Sequence, residues 1–101
     1  MPAAYIVVES NVSDPETFKR YMAAAPEVVK AFGGEYLVRG GRMQVLEGDW
    51  KPARMTVLRY PSFEQAQAMY DSPAYVKARQ LRHGATACFN MVLVEGVEAP
   101  V

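Results

Sequence analysis

Two segments of this 101-residue chain, Ala4 to Ser10 and Ala87 to Glu95, are rich in apolar side chains on both of their alternating sets. In the first, Tyr5 and Val7 fall on one side and Ile6 and Val8 on the other; in the last, Phe89, Met91 and Leu93 oppose Val92 and Val94. Side chains alternate between the faces of a sheet, so strands of this kind need cover on both faces. A layer of helices supplies one cover. For a lone domain the simplest second cover is a symmetric copy of itself.

The helices are legible between the strands. Ser13-Asp14-Pro15-Glu16 opens the first, with Ser13 and Glu16 at capping-box spacing and Asp14 before Pro15 reading as N-cap and first helical residue. Phe18, Tyr21, Met22, Ala25, Val28, Val29 and Phe32 form its apolar stripe, and Gly33-Gly34 ends it. Pro26 lies inside the pattern, and a kink or short break is expected near Ala25. Ser62 and Gln65 open a second helix to about Asp71, with Phe63, Ala66 and Tyr70 inward. Ser72-Pro73 opens a third to about His83, with Ala74, Val76, Ala78 and Leu81 partly inward and Lys77, Arg79, Gln80 and Arg82 mostly outward.

Between the first two helices, Glu35 to Gly40 and Met43 to Glu47 read as short strands joined by a type II′ turn at Gly41-Arg42. That register sets Val38 against Val45 and places Arg39 and Glu47 on opposite faces. A further strand is expected over Ala53 to Tyr60. Five segments read as strands, and with the hairpin as the middle pair of the order β-α-β-β-α-β they are taken as an α+β fold of ferredoxin-like type: a four-stranded antiparallel sheet with helices on one face, over residues 1–101 as one domain. Two such sheets packed face to face would form a dimeric α/β barrel.

Charge and cysteine content narrow the partners. Eleven basic residues balance eleven acidic ones, so no global field favours nucleic acid. One cysteine and one histidine cannot build a disulfide or a Cys/His metal site within a subunit. No apolar stretch approaches the ~20 residues that span a bilayer, and the first ten residues lack the pattern of a secretory signal. The expected compartment is the cytoplasm, with no membrane, metal or cofactor called for.

Several segments together resemble a known family: Tyr-Ile-Val-Val-Glu at 5–9, Gly-Gly-Glu-Tyr-Leu-Val-Arg-Gly-Gly at 33–41, Leu-Glu-Gly-Asp-Trp at 46–50, and Ser-Pro-Ala-Tyr at 72–75 followed by Arg79. They are similar to the bacterial proteins grouped as domain of unknown function 1330. The resemblance covers nearly the whole chain. It implies the dimeric α/β-barrel superfamily, whose members include cofactorless monooxygenases, muconolactone isomerase, dehydratases and haem-binding proteins. One departure is Ala74, where the family often carries an acid.

The candidate chemistry is carried by few residues. Arg39, between a glycine and two apolar residues, can hold a carboxylate through its planar fork or serve a structural ion pair with Glu47. Glu47 beside Gly48 is a candidate general base, or a plain hairpin-end carboxylate. His83 could shuttle a proton or ligate haem iron, while its place after Arg82 and before Gly84 also suits a cation capping a helix C-terminus. Tyr21, Tyr70 and Tyr75, with Trp50, are candidates for an aromatic pocket. Cys88 reads as a small buried hydrophobe. The resulting reading is a homodimer that binds a small organic acid, with cofactorless isomerisation or elimination as the chemistry open to it. The alternative is a non-enzymatic binding or structural homodimer.

Overall fold

The structure, a computed structural model, describes residues 2–98. Its elements are β1 (Ala4–Val12), α1 (Pro15–Ala31), β2 (Glu35–Arg39), β3 (Arg54–Tyr60), α2 (Phe63–Asp71), α3 (Pro73–Gln80) and β4 (Thr86–Glu95). The strands form one antiparallel sheet in the order β2-β3-β1-β4. The fold is therefore the expected ferredoxin-like arrangement, with apolar β1 lying between β3 and the edge strand β4.

Alternation decides the layers. Ala4, Ile6, Val8 and Ser10 of β1 are buried beneath the helices, together with Leu58 and Tyr60 of β3. The helices add Ala25 and Val29 from α1, Ala66 and Met69 from α2, and Tyr75 and Ala78 from α3. Burying a large side chain of this sort contributes roughly 1.5–3 kcal/mol. Gly34 is needed at the end of α1, because a Cβ there would lie 2.6 Å from the Tyr60 ring and 2.7 Å from Val29.

Among the described residues no helix covers the other sheet face. Val7, Val57 and Val92 stand side by side across β1, β3 and β4, with Tyr5 and Val94 beside them. Val92 and Val94 are 60% and 48% exposed.

Four expectations change. The second hairpin strand, Met43 to Glu47, does not form. Gly41 does not take the left-handed conformation that its turn requires, which falls instead at Gly40 (φ 69°) and Gly48 (φ 89°). The sheet position beside β2 goes to β3, whose alternate residues bury Leu58 and Tyr60, and Val38 pairs with Val57 rather than Val45. Residues 40–53 consequently form a long exposed arm joining β2 to β3, with Leu46 84% exposed.

Pro26, expected to kink or break α1, lies within an uninterrupted helix. Its missing amide would have served the carbonyl of Met22 four residues back. That carbonyl accepts instead from Arg39 Nη2 at 3.2 Å.

The inward stripe of α3 is rotated from the expected one: Tyr75 and Ala78 are its buried residues, and Arg79 and Arg82 fold back over aromatic rings. The helix itself ends at Gln80. The ambiguous start of α1 resolves to Asp14, whose carboxylate accepts from the Thr17 amide at 3.2 Å and from its hydroxyl at 2.7 Å.

Candidate functional site

A cleft opens between the sheet and α1. Its floor is Ile6, Val8 and Ser10 of β1 with Phe89 and Met91 of β4, and its roof is Phe18, Tyr21, Met22, Ala25 and Val29 of α1. Tyr36 and Arg39 of β2 and Arg54, Thr56 and Leu58 of β3 form one side; Met69 and Tyr75 reach in from α2 and α3. About 40 Å³ is open to water centres, which is room for a few waters or one small polar molecule.

Two polar features stand in this apolar cavity. The first is a hydroxyl pair, Tyr21 Oη and Tyr75 Oη at 2.7 Å, which links α1 to α3. Tyr75 is positioned by Ser72, whose hydroxyl accepts from the Tyr75 amide at 3.1 Å while donating to the Met69 carbonyl at 2.7 Å. Burial pushes the Tyr21 phenol far above its ordinary range; Tyr75 adds to this and the Arg82 charge opposes it. Tyr21 is thus a neutral hydrogen-bonding group at any physiological pH.

Arg82 lies over Phe89, its guanidinium carbon 3.7 Å from the ring centroid, and 5.1 Å from that of Tyr21. Arg79 covers Tyr70 at 4.3 Å and Tyr75 at 5.8 Å. The arginines thus wall the tyrosine cluster from outside through cation–π contacts.

The second feature is a pair of guanidinium groups. Arg39 donates to the Met22 carbonyl and lies over the Tyr36 ring at 4.6 Å, while Arg54 Nη1 stands 4.0 Å from Met22 Sδ. Among the described residues neither forms an ion pair, in contrast to Arg59, which meets Glu35 at 3.0 Å. Burial raises the Tyr36 phenol, with the Arg39 charge pulling the other way.

Of the residues expected to form a site, the fold brings together Arg39, Tyr21 and Tyr75. Tyr70 stands behind Tyr75, with ring centroids 5.6 Å apart, and does not line the cleft. Trp50 is on the opposite sheet face, where its indole donates to Glu9 Oε2 at 2.9 Å; Asn90 donates to the other oxygen at 3.1 Å. Glu47 is exposed in the arm, and His83 is exposed in the turn after α3, its amide donating to the Gln80 carbonyl at 3.2 Å. Leu37 and Leu46 are 51% and 84% exposed, and the contacts of Arg39 are with Met22 and the Tyr36 ring. Cys88 is half-buried.

Arg54, Arg79 and Arg82 were not legible as site residues. Arg54 could have been found from register, because it pairs with buried Ser10 and so shares the helix-facing side.

The family model for the domain of unknown function 1330 matches residues 3–97. The chain belongs to this family. Members of it are thus expected to share the sheet and its helical layer. Among solved structures, this family member is similar to a protein of unknown function from Rhodopseudomonas palustris: TM-score 0.74 and 17% identity, over 96% of this chain and 84% of that one. It is also similar to a dimeric ferredoxin-like protein of unknown function from Thermobifida fusca, with TM-score 0.62 and 13% identity, over 94% and 92% of the two chains. A protein from Caulobacter crescentus, provisionally described as an antibiotic biosynthesis monooxygenase, matches at TM-score 0.59 and 17% identity, over 96% and 92%. At these identities the likeness is one of fold. No curated protein matches the chain in sequence.

Proposed function

We propose that this protein is a homodimer that binds a small organic acid in the cleft between sheet and α1. The observation that carries the reading is Arg39: a guanidinium at the mouth of an apolar cavity, held by a backbone carbonyl and an aromatic ring, with no carboxylate partner among the described residues. A guanidinium has five donors, and the bond to Met22 uses one. The others can meet a carboxylate, and the Tyr21–Tyr75 pair is available to a second oxygen of the ligand.

The same geometry favours binding over proton-transfer catalysis. Among the described lining residues there is no carboxylate or imidazole, and a phenol raised as Tyr21 is makes a poor base at neutral pH. Cofactorless isomerisation or elimination would then rest on Tyr21 and Tyr75 as hydrogen-bond donors to a developing oxyanion.

The dimer is supported by the uncovered face carrying Val7, Val57 and Val92, and by dimeric descriptions among the structural relatives. The exposed arm continues that face, since Trp50 reaches back to Glu9 on it. A cytoplasmic location fits this reading, and no helix among the described residues is long and apolar enough to cross a membrane.

A thermal-shift screen against small carboxylic acids tests the acid-binding reading, because a ligand of the native state raises its melting temperature. A reproducible rise with at least one acid, absent with the matching amide, is expected. No rise with any acid at millimolar concentration would overturn it.

A further inference from the structure

We propose that the mouth of the cleft is a two-arginine site and that its ligand is a short dicarboxylate, an inference that rests on the acid-binding reading above. Arg39 and Arg54 lie on neighbouring strands and share the helix-facing side: Arg39 pairs with Thr56, and Arg54 is two residues from Thr56 along β3. Their heads converge on one residue, Arg39 on the carbonyl of Met22 at 3.2 Å and Arg54 on its sulfur at 4.0 Å.

The corner between them is built for this approach. Gly40 takes φ 69°, its amide is tied to the Met55 carbonyl at 2.9 Å, and a Cβ in its place would lie 3.2 Å from both Cζ and Nε of Arg54. A side chain at position 40 would push the second guanidinium away. Two like charges held together without an anion repel one another. Met22 Sδ is a weak acceptor and offers Arg54 no charge compensation. Elsewhere on this sheet an arginine, Arg59, has its carboxylate.

A single carboxylate can satisfy one planar fork bidentately. A second carboxylate on the same short carbon chain would satisfy the other, while the methylenes lie against Met22 and Ala25 in the apolar wall. The small volume of the cleft keeps the chain short.

Calorimetry on the full chain with succinate, butyrate and inorganic phosphate tests this. Succinate should bind about tenfold or more tighter than butyrate, as one added charge-assisted pair implies. Arg54→Gln should remove that advantage, bringing succinate and butyrate affinities to within about twofold of one another, and Arg54→Lys should restore only part of it. Equal affinity of the wild type for succinate and butyrate would overturn the two-arginine site while leaving the acid-binding reading intact; this comparison needs no variant. Phosphate binding tighter than succinate would overturn the dicarboxylate assignment. Absence of binding by all three would overturn the inference, and the carboxylic-acid screen would then decide the broader reading.

Discussion

Arg39 of β2 donates to the carbonyl of Met22 in α1 at 3.2 Å, the carbonyl that Pro26 leaves without its helical donor. A proline inside a helix costs a backbone hydrogen bond and ordinarily bends the axis. Here a side chain from the sheet supplies the missing donor, which ties helix to sheet at the mouth of the cleft and fixes one side of the guanidinium.

Replacing Pro26 with alanine should therefore separate stability from binding. The restored amide at position 26 can serve Met22, so α1 should gain on the order of 1–3 kcal/mol, less the entropy that proline removes from the unfolded chain. Arg39 then competes for its anchor, and acid affinity should fall severalfold. Denaturant unfolding and calorimetry measure the two effects; affinity that is unchanged or higher in Pro26→Ala would show that the anchor has no role in binding.

Arg39 itself should be intolerant of conservative change. Arg39→Lys keeps the charge but loses the planar fork, and Arg39→Met loses both, so the acid that stabilises the wild type should bind more weakly to the first and about 10–100-fold more weakly to the second. Undiminished affinity in both variants would make Arg39 a structural clamp on α1 alone.

The alkaline limb of stability should report the buried phenols. Burial raises Tyr21 and Tyr60 above their ordinary value of 10.0 in the folded state, so the fold favours their neutral forms. Their contribution is fully present below about pH 10 and declines as pH rises above it. Phenolate absorbance and unfolding free energy followed together should show these phenols ionising only as the protein opens. Reversible ionisation of all six tyrosines near pH 10 without loss of structure would contradict it.

Val92 lies on the exposed sheet face in the edge strand β4, paired with Val7 of β1. Val92→Glu should convert a dimer to a monomer in light scattering, because a buried unpaired carboxylate at an apolar interface is strongly unfavourable. The single Trp50, on the same face, should shift its emission to longer wavelength on dilution. A wild-type monomer at micromolar concentration would remove the dimer altogether.

The sheet was legible because β1, β3 and β4 are apolar in alternate and adjacent positions, and the helix starts because Asp14, Ser62 and Ser72 have the right neighbours at the right spacing. Met43 to Glu47 misled because local strand propensity says nothing about which segment wins a limited sheet edge; β3 buries Leu58 and Tyr60, whereas no residue of Met43 to Glu47 is buried. Within the site, Arg39, Tyr21 and Tyr75 stood out as residues. Arg79 and Arg82 did not, because a cation stacked on an aromatic ring leaves no mark in a hydrophobic pattern, and neither did the link from Pro26 to Arg39, which spans two elements.

The strand order carries a consequence for how the protein is made. β1 is flanked by β3 and β4, so the earliest of these four strands to be synthesised lies inside the sheet and waits for the latest of them, with Ala4 finally pairing with Glu95 and the Gly96 amide donating to the Ala3 carbonyl at 2.8 Å. Until β4 leaves the ribosome, the nascent chain presents an open apolar edge along β1, the kind of edge that recruits foreign strands. Pairings this distant in sequence form slowly. Chaperone capture of ribosome-bound chains should therefore persist until translation has passed β4 and end once β4 docks.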